Sequence, residues 1–363
     1  MGSSDSLTPF FVVLGAGVIG LSTALTIRDK FPSSKIVIIA KHFPGDYDVE
    51  YCSPWAGGNW CSSANDNGLL ESCDRVTFGR FRTIAQDHLE AGIQASALRM
   101  IFDHRIEDAG ILSQGTGRVW YDELVGGLVP IDSDELPKGA VFGLDVPSTF
   151  VINTQVYLQW LLAKCRNAGV QLLRQTVESV DQAFISPGVT AVFNCTGLGS
   201  YSLGGVNDKD MYPTRGQTVL VEQPIQPLKR MYFRSPRRVD NDTTYIFQRP
   251  LAGGIVLGGC REDGNWDGKV NQDFALEIMK RCCALAPELG RPEDLKVIKH
   301  GVGLRPNRKG GPRIEVEKRS VGLIVHNYGA SGAGYQASWG MAEHGVELLM
   351  ESLENGSSVV SKL

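Results

Sequence analysis

The amino-terminal part of the chain carries a continuous apolar run, then glycines, then apolar residues at helical spacing. Phe10 to Leu14 are all apolar, as is typical of a parallel strand buried on both faces. A glycine-rich turn, 15–20, follows directly, and helical periodicity then continues to Lys30. The pattern predicts a strand, a glycine turn and a helix, with a second buried strand at 35–40.

The rest of the chain mixes helical and extended patterns. Helical periodicity marks 77–109, 154–168 and 337–350. Short apolar runs bounded by Gly, Pro and polar clusters predict strands. These strands are expected at 170–173, 190–194, 218–222, 243–248, 254–258 and 321–325, and the run from 217 to 259 is expected to form an antiparallel sheet. The predicted fold is α/β with a mixed α+β character.

The first glycine turn has the spacing of a dinucleotide-binding motif. Gly15 permits the tight turn, Gly17 lets the backbone approach a pyrophosphate, and Gly20 lets helix and strand pack closely. The motif does not distinguish FAD from NAD. Lys41 and His42 stand after the second strand, where an acidic residue usually binds the adenosine ribose, so the sequence leaves ribose recognition unassigned.

Composition narrows the class of protein. The 363 residues carry a net charge of -4, with a pI of about 5.9 and no long Lys/Arg run, so we expect no nucleic-acid partner. No apolar stretch has the length of a membrane span, so we expect neither membrane insertion nor secretion. The eight cysteines and six histidines are scattered, which favours reduced, mostly buried thiols and gives no support for a metal site.

Two further segments could lie beside a flat cofactor. Residues 53–60 combine small residues with two tryptophans, and they fit a cofactor wall or an ordinary loop equally well. The glycine-rich loop 326–336 joins a strand to a helix, whose N-terminus could stabilise negative charge on a ligand. A plain surface connection between strand and helix is the alternative for this loop.

The last three residues, Ser361-Lys362-Leu363, form a tripeptide that a peroxisomal import receptor reads. The preceding residues from Asn355 are small and polar, and they predict a flexible tail that presents this signal. We therefore expect the peroxisomal matrix as the location and the import receptor as a partner.

Several motifs together resemble the D-amino-acid oxidase family, in its fungal type, over nearly the whole chain. They are 13–24, 193–199, 215–217, Gly303-Leu-Arg-Pro306 and His326-Asn-Tyr-Gly329, the last followed by Gly332 to Tyr335. The resemblance implies a split Rossmann-like FAD-binding domain and an antiparallel-sheet substrate-binding domain. It places 1–60, 145–200 and 300–355 in the first, 61–144 and 201–299 in the second, and 356–363 in the flexible targeting tail.

The resemblance also implies roles for individual residues. Arg305, Tyr245 and Gln336 would be catalytic, with Arg305 gripping the substrate α-carboxylate through its planar fork and Tyr245 adding its hydroxyl. Gly332 and Asn59 would join them in binding substrate. The implied FAD-binding residues are Gly15, Ala16, Gly17, Val18, Ile19, Gly20, Lys41, His42, Ser53, Gly57, Gly58, Asn59, Val177, Thr196, Gly197, Arg305, Ser331, Gly332, Gly334, Tyr335 and Gln336.

The implied reaction is hydride transfer from the α-carbon of a neutral D-amino acid to the flavin. The imino acid then hydrolyses to a 2-oxo acid and ammonia, and O2 reoxidises the flavin to give hydrogen peroxide. Positioning would do most of the catalytic work, and a homodimer is the family's common assembly.

The chain departs from the family pattern at the lid, and other functions stay open. Asn241 and Asp242 stand where many relatives carry a second pocket tyrosine. An arginine at 234, 237 or 238 could serve as the extra cation of a D-aspartate oxidase, or be merely solvated. The remaining alternatives are another FAD amine oxidase, an NAD-dependent dehydrogenase and a non-catalytic flavoprotein.

Overall fold

The computed structural model describes residues 8–224, 227–234 and 243–360, and side chains up to residue 355. Two sheets and five α-helices make up the architecture of these residues. The strands are β1 Phe10–Leu14, β2 Lys35–Ala40, β3 Asn59–Trp60, β4 Ile93–Phe102, β5 Val129–Pro130, β6 Phe142–Ile152, β7 Gln171–Arg174, β8 Ala191–Asn194, β9 Met211–Val221, β10 Met231–Arg234, β11 Thr244–Gln248, β12 Ile255–Gly258, β13 Glu262–Asp263, β14 Val297–Arg308, β15 Arg313–Arg319 and β16 Gly322–Tyr328. The helices are α1 Val18–Lys30, α2 Leu69–Asp87, α3 Thr154–Asn167, α4 Gln272–Leu285 and α5 Ser338–Val360.

The first sheet has six strands in the order β15-β16-β8-β1-β2-β7. Strands β16, β8, β1, β2 and β7 are parallel, and β15 closes one edge as an antiparallel hairpin with β16. Every residue of β1 is buried, as the uninterrupted apolar run predicted. The carboxyl ends of β1, β2 and β8 therefore meet at one edge, where open parallel sheets bind their ligands.

The second sheet has the order β13-β9-β12-β11-β10-β4-β6-β3, with β14 paired to β9 and β5 paired to β6. Its pairings are antiparallel except for β10 and β4, which run parallel. Strand β14 crosses the predicted domain boundary at residue 300 and belongs to this sheet. The mixed α/β fold is thus confirmed, whereas the domain boundaries stay a prediction.

The main hydrophobic core lies between the first sheet, its helices and the inner face of the second sheet. Leu21 of α1, Phe81 of α2 and Tyr157 of α3 are fully buried in one cluster with Phe150 and Phe193. This cluster locks the two sheets against each other, so residues at their shared border are held in place by both. Among the helices of the described residues, none is long and apolar enough to cross a bilayer.

The prediction of helix across 77–109 is wrong in its second half. Helix α2 ends at Asp87, and β4 follows at Ile93–Phe102. A bulge between Ser96 and Leu98 shifts the register of β4 against β6, which breaks the period-two alternation that marks a strand in sequence. Pairing on both sides, with β6 and β10, decides the extended conformation.

The last helix is longer than its sequence pattern predicts. Helix α5 continues to Val360, so 356–360 are helical in backbone although the sequence predicts a flexible tail from 356. Once a helix is nucleated, each added residue gains a backbone hydrogen bond, so small polar residues can extend it. The tripeptide 361–363 lies outside the described residues, as do Arg237, Arg238, Asn241 and Asp242.

Candidate active site

The turn between β1 and α1 is built so that only glycine fits at its key positions. Gly15 has a φ of 100°, and a Cβ there would lie 2.5 Å from the carbonyl oxygen of Cys195. A Cβ at Gly17 would lie 2.9 Å from Ser53 Oγ, and one at Gly20 would collide with the carbonyl oxygen of Gly15. The start of α1 therefore lies open to the close approach of a ligand, with the positive end of the helix dipole facing it.

Two other segments are tied to this turn by hydrogen bonds. The Val18 N–H donates to Ser53 Oγ at 3.1 Å, and the Tyr51 hydroxyl donates to the Ala16 carbonyl at 2.7 Å. The Tyr335 hydroxyl donates to the Ser53 carbonyl at 2.9 Å. Segments 51–59 and 329–336 thus form walls of the same site. They are not the ordinary surface loops that their sequences left open as the alternative.

One large cavity of about 1050 Å³ runs along these segments, from the carboxyl edge of the first sheet to the second sheet. All of the predicted site residues except Gly20 line it, and Gly20 instead packs α1 against the turn. The predicted residues that line the cavity are Gly15, Ala16, Gly17, Val18, Ile19, Lys41, His42, Ser53, Gly57, Gly58, Asn59, Val177, Thr196, Gly197, Tyr245, Arg305, Ser331, Gly332, Gly334, Tyr335 and Gln336. Their individual roles stay predictions.

The structure supplies the acidic group that the sequence lacked after β2. Glu50 follows Lys41 by nine residues but lies beside it in space, with Oε2 2.5 Å from the Lys41 ammonium. Glu50 also lines the cavity. This ion pair raises the pKa of Lys41. The side chains of His42, Asp48 and Glu50 each carry an atom that could bind a metal ion, and these atoms lie within 4.8 Å of one another. However, His42 already lies beside Asp46, and Glu50 is paired with Lys41.

Arg305 lies on β14 at the other end of the cavity. Its guanidinium donates to the carbonyl oxygen of Cys260 at 3.0 Å and to that of Arg215 at 3.4 Å. In the part of the chain that the structure describes, no carboxylate forms an ion pair with it, although it is half-buried. A half-buried guanidinium held by carbonyls, without an anionic partner, is suited to bind a carboxylate from solution.

Tyr245 on β11 lies beside Arg305 and is almost fully buried. Its ring stacks on Phe247 at 4.9 Å and meets the edge of Phe233 at 5.8 Å. Burial raises the pKa of Tyr245, and a hydrogen bond with Arg305 acts in the opposite direction. The phenol therefore stays protonated at neutral pH and can donate a hydrogen bond.

Some residues of the family motifs fasten the elements around the cavity, and of those named here only Asn327 also lines it. His326 is fully buried and bonds to Glu317 at 2.9 Å, and burial lowers its pKa. The Asn327 amide donates to the Met341 carbonyl at 3.2 Å. Arg215 is buried as well, and it donates to Gln217 at 2.9 Å. These contacts fasten β16, α5 and β9 around the site.

Several residues of the site escape sequence reasoning, and four of them carry charged or polar groups of interest. Glu50, Tyr51 and Arg261 line the cavity, and Asp74 accepts a hydrogen bond from Gln336 at 2.8 Å. In the sequence, Arg261 is marked only as a charged residue after a predicted strand. The chain contains 36 Lys and Arg residues, and this pattern does not show which of them lies at the cavity. Only the folded chain selects among them.

Arg234, which the sequence offered as an extra cation for acidic substrates, is engaged elsewhere. Its guanidinium pairs with Asp103 at 2.8 Å and donates to the Lys138 carbonyl at 3.2 Å. It does not line the cavity. Arg261 does, with one Nη 3.7 Å from the point where a Cβ on Gly332 would lie.

The parallel sheet, its glycine turn and the arginine at the far end of the same cavity define a dinucleotide-dependent oxidoreductase. Residues 11–348 match the model of the family described as FAD dependent oxidoreductase. The chain belongs to this family, and FAD is its cofactor.

Curated relatives match nearly the full length of the chain. The D-amino-acid oxidase of Schizosaccharomyces pombe is 40% identical over 94% of this chain and 97% of its own. That of Fusarium vanettenii is 37% identical, covering 93% and 96%. A D-aspartate oxidase of Talaromyces thermophilus is 30% identical, covering 95% and 96%. These matches confirm the resemblance to fungal-type D-amino-acid oxidases.

A solved structure supports the fold independently. Glycine oxidase from Bacillus cereus superposes with a TM-score of 0.72 at 17% identity, covering 95% of this chain and 96% of that one. At this identity the likeness concerns the fold alone.

The residues present fit FAD. The cavity volume is at the upper end for ligand sites, as an extended dinucleotide requires. The cradle at Gly15 and Gly17 leaves no room for a side chain. Within the described chain, the buried Nδ2 of Asn59 has no hydrogen-bond partner, which leaves a donor for a bound ligand. These residues would hold FAD, which supplies a two-electron acceptor when bound.

Proposed function

We propose that this protein catalyses the oxidative deamination of neutral D-amino acids. The observation that carries the proposal is Arg305, whose guanidinium has no carboxylate partner among the described residues and shares one cavity with the dinucleotide cradle. The relatives named D-amino-acid oxidase agree with it.

In this proposal the protein acts mainly by positioning the substrate. Arg305 binds the α-carboxylate with two charge-assisted hydrogen bonds, and the protonated Tyr245 hydroxyl donates a third. The stacked rings of Phe247 and Tyr245 fix the direction of that hydroxyl. With the carboxylate fixed, the orientation of the α-hydrogen depends on the configuration of the α-carbon, which selects the D-enantiomer.

The overall chemistry balances with water and oxygen as co-reactants. The amino acid loses two electrons and two protons, and its imine hydrolyses to a 2-oxo acid and ammonia. Oxygen accepts the two electrons and two protons and leaves as hydrogen peroxide. A peroxide product agrees with the proposed peroxisomal location.

Anaerobic mixing of the purified holoprotein with D-alanine, L-alanine and D-aspartate tests the proposal. The absorbance band of oxidised flavin, expected near about 450 nm, reports reduction. Bleaching by D-alanine and not by L-alanine is the expected result. A flavin band that no D-amino acid bleaches would overturn the proposed function.

Acidic D-amino acids are the second candidate, and Arg261 favours them. The side chains of Arg261 and Arg305 both come within 4 Å of the same point over Gly332, so two guanidinium groups flank one part of the cavity. Arg261→Ala would then lower the rate ratio of D-aspartate to D-alanine. Arg234→Ala is the matched control, since its side chain is paired with Asp103. An unchanged ratio in Arg261→Ala would favour neutral substrates.

Location and assembly are part of the same proposal. We expect import into the peroxisome through Ser361-Lys362-Leu363, and fluorescence microscopy of a tagged chain with and without these residues tests it. A cytosolic signal from both chains would contradict import. The homodimer is supported by the family resemblance, and sedimentation of the holoprotein tests it.

A further inference from the structure

Asp74 is a buried carboxylate on α2, directly behind the cavity wall. It is 2% exposed, and no cation pairs with it among the described residues. Its Oδ2 accepts hydrogen bonds from Ser62 Oγ at 2.7 Å and from Gln336 Nε2 at 2.8 Å. An unpaired carboxylate is costly to bury, so this position calls for an explanation beyond packing.

The surroundings hold Asp74 in a single place. Trp60 Nε1 donates to the Asp74 carbonyl oxygen at 3.1 Å, and Trp120 Nε1 donates to Ser62 Oγ at 3.2 Å. The pKa of Asp74 is raised to about 7, chiefly by burial and to a smaller extent by the nearby carboxylates of Asp66 and Glu71. The bonds from Ser62 and Gln336 act in the opposite direction. In either protonation state the oxygen shared by the two donors can remain an acceptor.

The chemistry of an amide then fixes the orientation of Gln336. A glutamine amide has a donor end, Nε2, and an acceptor end, Oε1, and only the donor end can face a carboxylate oxygen. With Nε2 held by Asp74, Oε1 is directed away from it. Gln336 itself lines the cavity, so Oε1 is the end available there.

This acceptor and Arg305 belong to the same cavity lining. Gly332 lies four residues before Gln336, in a 3-10 turn at Ser331–Ala333, and it lines the cavity as well. A Cβ on Gly332 would lie 3.7 Å from Arg305 Cδ. An α-amino acid held by its carboxylate at Arg305 carries its amino group on the adjacent α-carbon, and that group needs a hydrogen-bond acceptor.

We propose that Asp74 is a positioning residue that turns the Gln336 amide so that Oε1 accepts a hydrogen bond from the substrate amino group. The inference rests on the proposed amino-acid substrate. It assigns a function to a carboxylate that does not itself line the cavity, and it predicts an effect confined to ligands that carry an amino group.

The test compares two ligands that differ only in that group. The Kd for D-alanine is taken from the saturation of anaerobic flavin reduction, and the Kd for propionate from its perturbation of the flavin spectrum. Asp74→Leu removes the acceptor and should raise the Kd for D-alanine about tenfold, with propionate unchanged within about twofold. Asp74→Asn keeps one acceptor oxygen and should restore most of the affinity. Glu71→Leu, a buried carboxylate on the same helix that bonds to the Asn67 N–H, is the matched control.

Each outcome decides the proposal. Equal weakening of both ligands, or an effect of the same size in Glu71→Leu, would mean a merely structural role. If Asp74→Leu does not fold with FAD, Gln336→Leu provides the second measurement, and an unchanged Kd for D-alanine in that variant overturns the proposal. If D-alanine does not reduce the wild-type flavin, the proposed function fails, yet both ligands can still be titrated by their effect on the flavin spectrum.

Discussion

Replacement of Arg305 by alanine should separate substrate binding from cofactor binding. The guanidinium donates to the carbonyl oxygens of Cys260 and Arg215 and has no carboxylate partner in the described chain. Its loss removes two charge-assisted hydrogen bonds to the substrate carboxylate, each worth about 1.5 to 3 kcal/mol. The sum, about 3 to 6 kcal/mol, predicts a loss in kcat/KM of about a hundredfold to about twenty-thousandfold, since about 1.4 kcal/mol is a factor of ten.

The rest of the site should survive this change. The cradle around Gly15 and Gly17 makes no contact with Arg305, so FAD should remain bound. The two carbonyl oxygens lose a donor, which predicts a loss of stability of about 1 to 2 kcal/mol. The structural effect is therefore small compared with the effect on kcat/KM.

Stopped-flow reduction with D-alanine, together with the flavin content and the Tm of each variant, provides the assay. Arg308→Ala is the control on the same strand, because Arg308 pairs with Asp208 at 2.8 Å and does not line the cavity. We expect Arg308→Ala to lose stability while its reduction kinetics stay within about twofold of wild type. Unchanged kinetics in Arg305→Ala, or equal losses in both variants, would refute the carboxylate-binding role.

Three further predictions concern the cofactor site and the buried carboxylate. Gly20→Ala should destabilise the holoprotein by about 3 kcal/mol or more, seen as a lower Tm and flavin content, because the new Cβ collides with the Gly15 carbonyl. Glu50→Gln should weaken FAD binding about tenfold by fluorescence titration, with Lys41→Met as the control for loss of their ion pair, and equal effects would exclude a separate role for the carboxylate. The folded pKa of Asp74 is about 7 against an ordinary value of 3.8, so its carboxyl costs the fold stability as pH rises from about 4 to about 7. Asp74→Asn should therefore gain up to about 4 kcal/mol in free energy of unfolding relative to wild type across that window, seen as a rise in Tm, and a difference independent of pH would contradict the burial of an ionised Asp74.

Local patterns in the sequence determined the elements whose signal lies within one segment. The apolar run of β1, the glycines of the following turn and the helical periodicity of α3 each depend on neighbours along the chain. They identified the dinucleotide cradle because its chemistry is carried by consecutive residues. Once the family motifs were recognised, Arg305 and Tyr245 followed from them, and both line the cavity.

The tertiary structure decided whatever depends on residues far apart in sequence. Gln336 meets Asp74 across 262 positions, and no local pattern marks either as the partner of the other. Strand β4 was predicted as helix because its bulge hides the alternation, and only pairing with β6 and β10 makes it a strand. Hydrogen bonds and burial between distant segments have no periodicity in the sequence. The folded chain therefore determined which charged groups lie at the cavity. Local spacing in the sequence determined only the glycine turn between β1 and α1 at one end of the cavity.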